Sequence, residues 1–411
     1  MSYVAATGAA ARSRIARFVG LPRTFAAFLG GLAVSKLGDA VYTFALPWIA
    51  YELTKSPLVM GTLFAVEILP ILLFGALAGT YVDRIDRRRL MLAADAVRAV
   101  LVASIPALHL LGVLPLWYLY VAAFALALVS LAFDVSTTAV IPQIAGRDLT
   151  RANAAHQLAM QIASMAGPAL AGLMIAGLGG YGALWLDALS FAGTFLVLLR
   201  LPALDVERCC ERVQSVLRGI AEGFRWFRGS RVIQMLALQA ATGNFGFGMV
   251  TAVLMFYLRD TLGLSAELSG LNYAMLGVSG ILGSIAIVPL ARRYRKGMLY
   301  PAMLSLGFAG LLILAGVRAP WAPGLGFGIV AACDTAWVVL STSVRQELIP
   351  AHLMGRVLSF SRLLSTAAMP VGAVLGGYLM GTVGPVVVFL IAAACKGGEV
   401  LIARFSAIGR L

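Results

Sequence analysis

The stretch "GTYVDRIDRRRLM", Gly79 to Met91, sets arginines and aspartates side by side between two long apolar runs. A nucleic-acid surface, a membrane anchor and a moving part would each carry such charge, and the surrounding chain separates them. Of 411 residues, 61% are hydrophobic and 12% charged, about half the charge of an ordinary soluble domain. Apolar runs of about 20 residues, the length at which a helix crosses a bilayer, recur along the chain. Twelve can be marked, the fifth and sixth at 155–177 and 182–200, with short Gly/Pro turns at 112–115, 177–182 and 381–385. The expected fold is an all-α membrane protein with twelve transmembrane helices.

The net charge of +14 is not spread evenly. Basic residues fill alternate connections: Arg12, Arg14, Arg17 and Arg23 in the N-terminal arm, then Arg84 to Arg89, Arg147 with Arg151, the loop 201–231, Arg292 to Lys296, Arg345 to Arg362, and Arg404 with Arg410. The opposite connections hold only Lys55, Arg259 and Arg318. The positive-inside rule therefore puts both termini in the cytoplasm. Basic residues scattered over every inner connection, without interleaved aromatics, argue against a nucleic-acid partner and for the lipid bilayer. The arm, residues 1–25, lacks the apolar core of a cleaved signal peptide and is expected to stay as a cytoplasmic segment. Cys209 and Cys210 are adjacent in an inner loop, and Cys333 and Cys395 lie inside spans, so no disulfide framework is expected. No cofactor or metal motif stands out.

The loop 201–231 is the single long charged connection, and it divides the spans six and six, into bundles 26–200 and 232–411. Within it Val213, Val216, Leu217, Ile220, Phe224 and Phe227 recur at helical spacing among Arg and Glu, the pattern of an amphipathic helix on the inner membrane surface. The halves echo one another at a constant offset, Leu53, Ser56 and Gly61 falling on Leu262, Ser265 and Gly270. Two six-helix pseudo-repeats with a substrate path between them are the plan of a secondary transporter.

The opening stretch now carries a resemblance. Gly79, Asp83, Arg84, Arg87 and Arg88 match the Gly-x-x-x-Asp-Arg-x-Gly-Arg-Arg loop of the major facilitator superfamily, and Asp86 replaces its second glycine. With "SKLGDAVYTFALPWIAYELTKSPLVMG" upstream, the chain is similar to the subgroup of the enterobactin exporter and macrolide efflux proteins. The resemblance implies a gating role for this loop in a bacterial inner-membrane exporter. Asp83 at the inner end of a helix opposes the negative pole of the helix dipole and needs a cationic partner, and Arg84, Arg87 and Arg88 are near enough to supply one or to pair with Asp134. Gly167, Pro168 and Gly172 in "MAGPALAG" resemble the family's antiporter signature, although close helix packing explains much of the same pattern.

Ionisable residues inside spans are costly and mark sites by default. Glu67, with no local cation, is the first choice for a proton or a cationic substrate, Asp39 the second and Asp334 the third. Lys36 lies one turn from Asp39, where it either neutralises that carboxylate or shares in a site. Asp95 with Arg98, and Lys396 with Glu399, read as structural pairs. Tyr42, Asn244, Asn272, Tyr273 and Trp337 are candidates to shape a pocket, against packing or interfacial anchoring.

These readings point to a proton-coupled exporter of amphipathic or hydrophobic small molecules, of drug or siderophore class, working by alternating access as a monomer. An importer or an uncoupled facilitator is the nearer rival, a membrane sensor or embedded enzyme the more distant one. His109, His156 and His352 are dispersed and no phosphate-binding Gly-Lys-Ser/Thr loop occurs, so neither a metalloenzyme nor an ATP-driven pump is expected.

Overall fold

The computed structural model describes residues 22–82, 85–145, 148–201, 213–350 and 353–405. They form twelve α-helices in chain order: α1 Arg23–Thr54, α2 Pro57–Val82, α3 Arg87–Leu110, α4 Leu116–Ile144, α5 Leu149–Arg200, α6 Val213–Gly229, α7 Arg231–Phe256, α8 Ala266–Arg293, α9 Lys296–Gly316, α10 Ala322–Leu348, α11 Met354–Thr382 and α12 Pro385–Phe405. A π-turn, Tyr257–Thr261, closes α7. Among the described residues, eleven helices are long and apolar enough to cross a membrane.

The difference from twelve expected spans lies in α5. Its 52 residues are two helices joined at Gly179, whose φ of 74° and ψ of 167° suit a residue without a Cβ. The first limb runs alongside α1, with Gly167 against Ala40. The second returns along it: Gly180 meets Ile49, Asp187 and Ser190 meet Gly38, and the Thr194 hydroxyl donates to the Gly31 carbonyl at 2.8 Å. The turn expected at 177–182 is therefore present without a loop.

Local chemistry fixes other helix starts. Asp86 caps α3 by accepting from the backbone N–H groups of Arg88 and Arg89, at 2.9 and 3.2 Å, which satisfies donors that the first turn leaves open. Asp148 does the same for α5 through the Arg151 N–H, at 3.0 Å.

Across the long middle connection, α1–α5 and α7–α12 pack mainly within their own groups, α1 on α5, α7 on α11, α8 on α10 and α9 on α12. The two groups meet through α2 against α11 and α5 against α8. Both seams rest on small residues. A Cβ on Gly172 would lie 2.6 Å from the Ala266 carbonyl oxygen and one on Gly377 2.6 Å from that of Pro57. In lipid, where apolar surface gains little by leaving its surroundings, such backbone approach is what holds helices together.

An aromatic and charged clasp joins α1 to the π-turn at the same end. The Arg259 guanidinium sits 4.0 Å from the Trp48 ring centroid, and the Tyr51 hydroxyl bonds the Asp260 carboxylate at 3.2 Å. Tyr273 meets Phe44 edge-on at 5.2 Å, deeper along the same contact.

Candidate functional site

While the halves close at the end holding Tyr51, Pro57 and Asp260, two clefts occupy the opposite, arginine-rich half of the bundle. The smaller, about 390 Å³, lies between α1, α4 and the first limb of α5 and is walled by Lys36, Asp39, Thr43, Asp134 and His156. The larger, about 710 Å³, lies between α7, α10 and α11 and is walled by Asn244, Asp334, Trp337, Arg345 and Arg362, with Glu399 of α12 behind them.

Each cleft has an ammonium shared by two carboxylates. Lys36 Nζ lies 3.0 Å from Asp39 Oδ2 and 2.7 Å from Asp134 Oδ1. Lys396 Nζ lies 2.6 Å from Asp334 Oδ1 and 3.1 Å from Glu399 Oε1. The pairs are different in setting: Lys396 and Glu399 are buried, whereas Asp134 is exposed in its cleft. Behind the first cluster, fully buried Arg98 is paired with Asp95, stacks between Phe133 and Phe191, and reaches Asp39 Oδ2 at 3.7 Å. A buried guanidinium is tolerable only with such partners, because desolvation costs several kcal/mol per ion.

The sequence-predicted residues distribute unevenly. Lys36, Asp39, Asp334, Asn244 and Trp337 all wall a cleft. Asn244 donates to the Ser365 carbonyl at 3.0 Å, and Trp337 Nε1 to Gln239 Oε1 at 3.4 Å. Glu67 is half-buried on α2 outside both clefts and has no ion pair or hydrogen bond among the described residues. The Tyr42 hydroxyl, buried and without a hydrogen-bond partner among the described residues, lies within electrostatic reach of it.

Asn272, a pocket candidate by sequence, instead links α8 to α10: it donates to the Leu268 and Pro320 carbonyls and accepts from the Gly324 N–H at 2.6 Å. Lys396 and Glu399, read as a local pair, belong to the larger cleft through Asp334. Asp134 pairs with Lys36 of α1 at 2.7 Å. Sequence reasoning did not join Asp134 to Lys36 or Asp334 to Lys396, because the partners lie on different helices; an acid on the fourth helix of each half was the available signal.

In the loop, Asp83 and Arg84 lie outside the described residues, Gly79 is in the last turn of α2, and Arg87 is buried at the start of α3. Arg88 donates from Nε to the Leu198 carbonyl at 2.8 Å and from Nη2 to that of Leu199 at 2.6 Å. It thereby ties α3 to the carbonyl end of α5, where a cation suits the helix dipole. Gly167, Pro168 and Gly172 line the first limb of α5, Gly167 on α1 and Gly172 on α8.

The sequence profile of the Major Facilitator Superfamily matches residues 28–369. The chain belongs to that superfamily. Among its relatives, the multidrug efflux pump Tap of Mycolicibacterium fortuitum is 28% identical over 371 residues, covering 86% of this chain and 88% of Tap. Macrolide efflux protein A of Streptococcus pyogenes is 24% identical over 380 residues, covering 86% and 88%.

Solved structures share the facilitator fold. The nucleoside transporter NupG superposes with a TM-score of 0.74 at 12% identity, covering 93% of this chain and 98% of NupG. A bacterial homologue of the iron transporter ferroportin in its inward-facing state gives 0.70 at 18% identity, covering 93% and 98%. This major facilitator is thus a multi-pass membrane transporter with efflux pumps among its relatives, and not an enzyme.

Proposed function

We propose that this facilitator is a proton-coupled exporter of amphipathic or hydrophobic small molecules in a bacterial inner membrane, with both termini in the cytoplasm. The observation that carries the reading is the pair of clefts, each holding one lysine between two carboxylates, at one end of a bundle whose halves close at the other. With the arginine-rich end cytoplasmic, the clefts face the compartment from which an exporter loads.

Each cluster is poised for exchange. Adding a proton to Asp39 or Asp134 removes one of two charges holding Lys36 and frees its ammonium for the other carboxylate or for a substrate. A transporter needs interactions that differ between its two states, since only a differential affinity shifts the equilibrium. Glu67 and Tyr42, beside the α2 seam, form a second candidate for proton exchange. Asp83 and Arg84 are proposed as an inner latch on the family resemblance. Bundles 26–200 and 232–411 are proposed as the moving units, with 201–231 as their link and the N-terminal 1–25 as a cytoplasmic arm.

The test uses reconstituted vesicles with an inside-acid gradient, recording proton efflux as dyes, antibiotics and catechol chelates are added. Wild-type protein is expected to give substrate-triggered efflux, reduced at least about tenfold in Asp134→Asn or Glu67→Gln, a factor equal to about 1.4 kcal/mol. Substrate movement without protons would sink the coupling and favour a facilitator.

A further inference from the structure

The larger cleft contains charge that the coupling reading does not use. Asp334 and Glu399 share Lys396, so the carboxylates on this wall are already held by a cation. Arg345 and Arg362 face the same space, and among the described residues neither has a carboxylate partner. Three other cations toward this end of the bundle are held: Arg356 pairs with Glu222, Lys296 with Glu347, and Arg88 with backbone carbonyls.

Arginines near an inner helix end commonly serve as anchors in the headgroup layer. Arg345 is not placed as one. Its Nε is buried and, among the described residues, without a hydrogen-bond partner, and its guanidinium carbon lies 5.6 Å from the Trp337 ring centroid. A guanidinium with an open donor is unfavourable, so its place at the cleft wall favours a ligand that accepts from the guanidinium's accessible nitrogens. The start of α11 adds to the field: Gly355 in its first turn lines the cleft, and among the described residues no side chain caps that turn. Amide groups there favour negative charge.

Deeper in the cleft the wall turns apolar. Phe247 on α7 and Met369 on α11 lie further from the arginine-rich helix ends than Arg345, Arg362 and Gly355. The geometry points to an amphiphile with an acidic head, a carboxylate, sulfonate or phosphate, held by Arg345 and Arg362, its apolar body extending toward Phe247 and Met369. The inference names the substrate class for the transport proposed above and rests on that reading, but the binding it requires does not depend on proton coupling.

The smaller cleft has the opposite balance, with Asp39 and Asp134 against Lys36 alone at its wall. The acid-binding task therefore falls to the half that holds the larger cleft.

A matched pair of probes tests this. Anilinonaphthalene sulfonate and its unsulfonated parent, phenylnaphthylamine, share one ring system and differ by the acidic group. Binding of each is measured to the full-length protein in nanodiscs of zwitterionic lipid, against empty nanodiscs. Wild-type protein is expected to bind the sulfonate saturably and about tenfold more tightly than the parent, the worth of one charge-assisted hydrogen bond. Arg345→Gln and Arg362→Gln should each lose about that factor for the sulfonate and leave the parent unchanged, while Arg345→Lys keeps most of it.

Equal affinity for the two probes, absence of saturable sulfonate binding in folded wild type, or full sulfonate affinity in both glutamine variants would overturn the inference. Should the glutamine variants fail to fold, competition on wild type decides: octanoate should displace the sulfonate and octanol should not, and equal displacement overturns the inference. Charge-selective binding without proton-linked flux would sink the coupling reading alone. Flux of the uncharged parent without any charge preference would sink this one alone.

Discussion

Asp86 stands where the family loop carries glycine, and its carboxylate shows what the exchange achieves. It accepts two N–H groups at the start of α3, so a side-chain cap stands at the helix start in place of a flexible residue. We expect Asp86→Ala to cost about 1 kcal/mol and Asp86→Gly only a few tenths, read as shifts of the thermal unfolding midpoint in detergent. An unshifted midpoint in Asp86→Ala would mean that the cap contributes nothing. At this scale the sequence was informative about residue types and poor about partners. Asp39, Asp334, Lys36 and Trp337 could be singled out because charge and indole nitrogen are costly in a bilayer. That Lys36 is shared with Asp134, or Lys396 with Asp334, could not be read, since those pairs form only after separate helices have packed.

Helices were the most legible element, because an apolar stretch of bilayer length leaves few alternatives once water is absent. Glycine content marks a turn at 177–182, but not a turn without a loop, because backbone angles at a glycine leave no signature in hydropathy. The amphipathic segment was likewise readable. In α6, Phe224 and Phe227 pack on Phe360 of α11 at 5.0 and 5.2 Å, so part of its apolar face meets protein. Close approach of α5 and α8 gives the element-scale prediction. Gly172→Leu or Gly270→Leu drives a branched side chain into opposing backbone, an overpacking of about 1–3 kcal/mol. We expect substrate flux to fall about tenfold with helix content unchanged by circular dichroism. Normal flux in the inserted variant would show that this seam need not close during turnover.

For the whole molecule, the repeat in the sequence foretold two groups of helices without indicating which end of their interface would be closed. That depends on contacts such as Arg259 on Trp48, between residues with no local pattern in common. Alternating access requires the contact of α2 with α11 to open in each cycle. Gly377, whose added Cβ would lie 3.0 Å from the Leu58 Cα, offers a place to prevent it. In a background with the four native cysteines replaced by serine, Leu58→Cys with Gly377→Cys is expected to cross-link on oxidation, stop transport and recover with reductant. An oxidised, fully linked protein that still transports would show that the halves do not part there.

The turn at Gly179 also bears on how the chain is made. Because the two limbs of α5 follow one another with no polar connection, neither can settle in lipid while the other waits in water. Their entry into the bilayer is tied together, as that of a hairpin whose limbs share one turn.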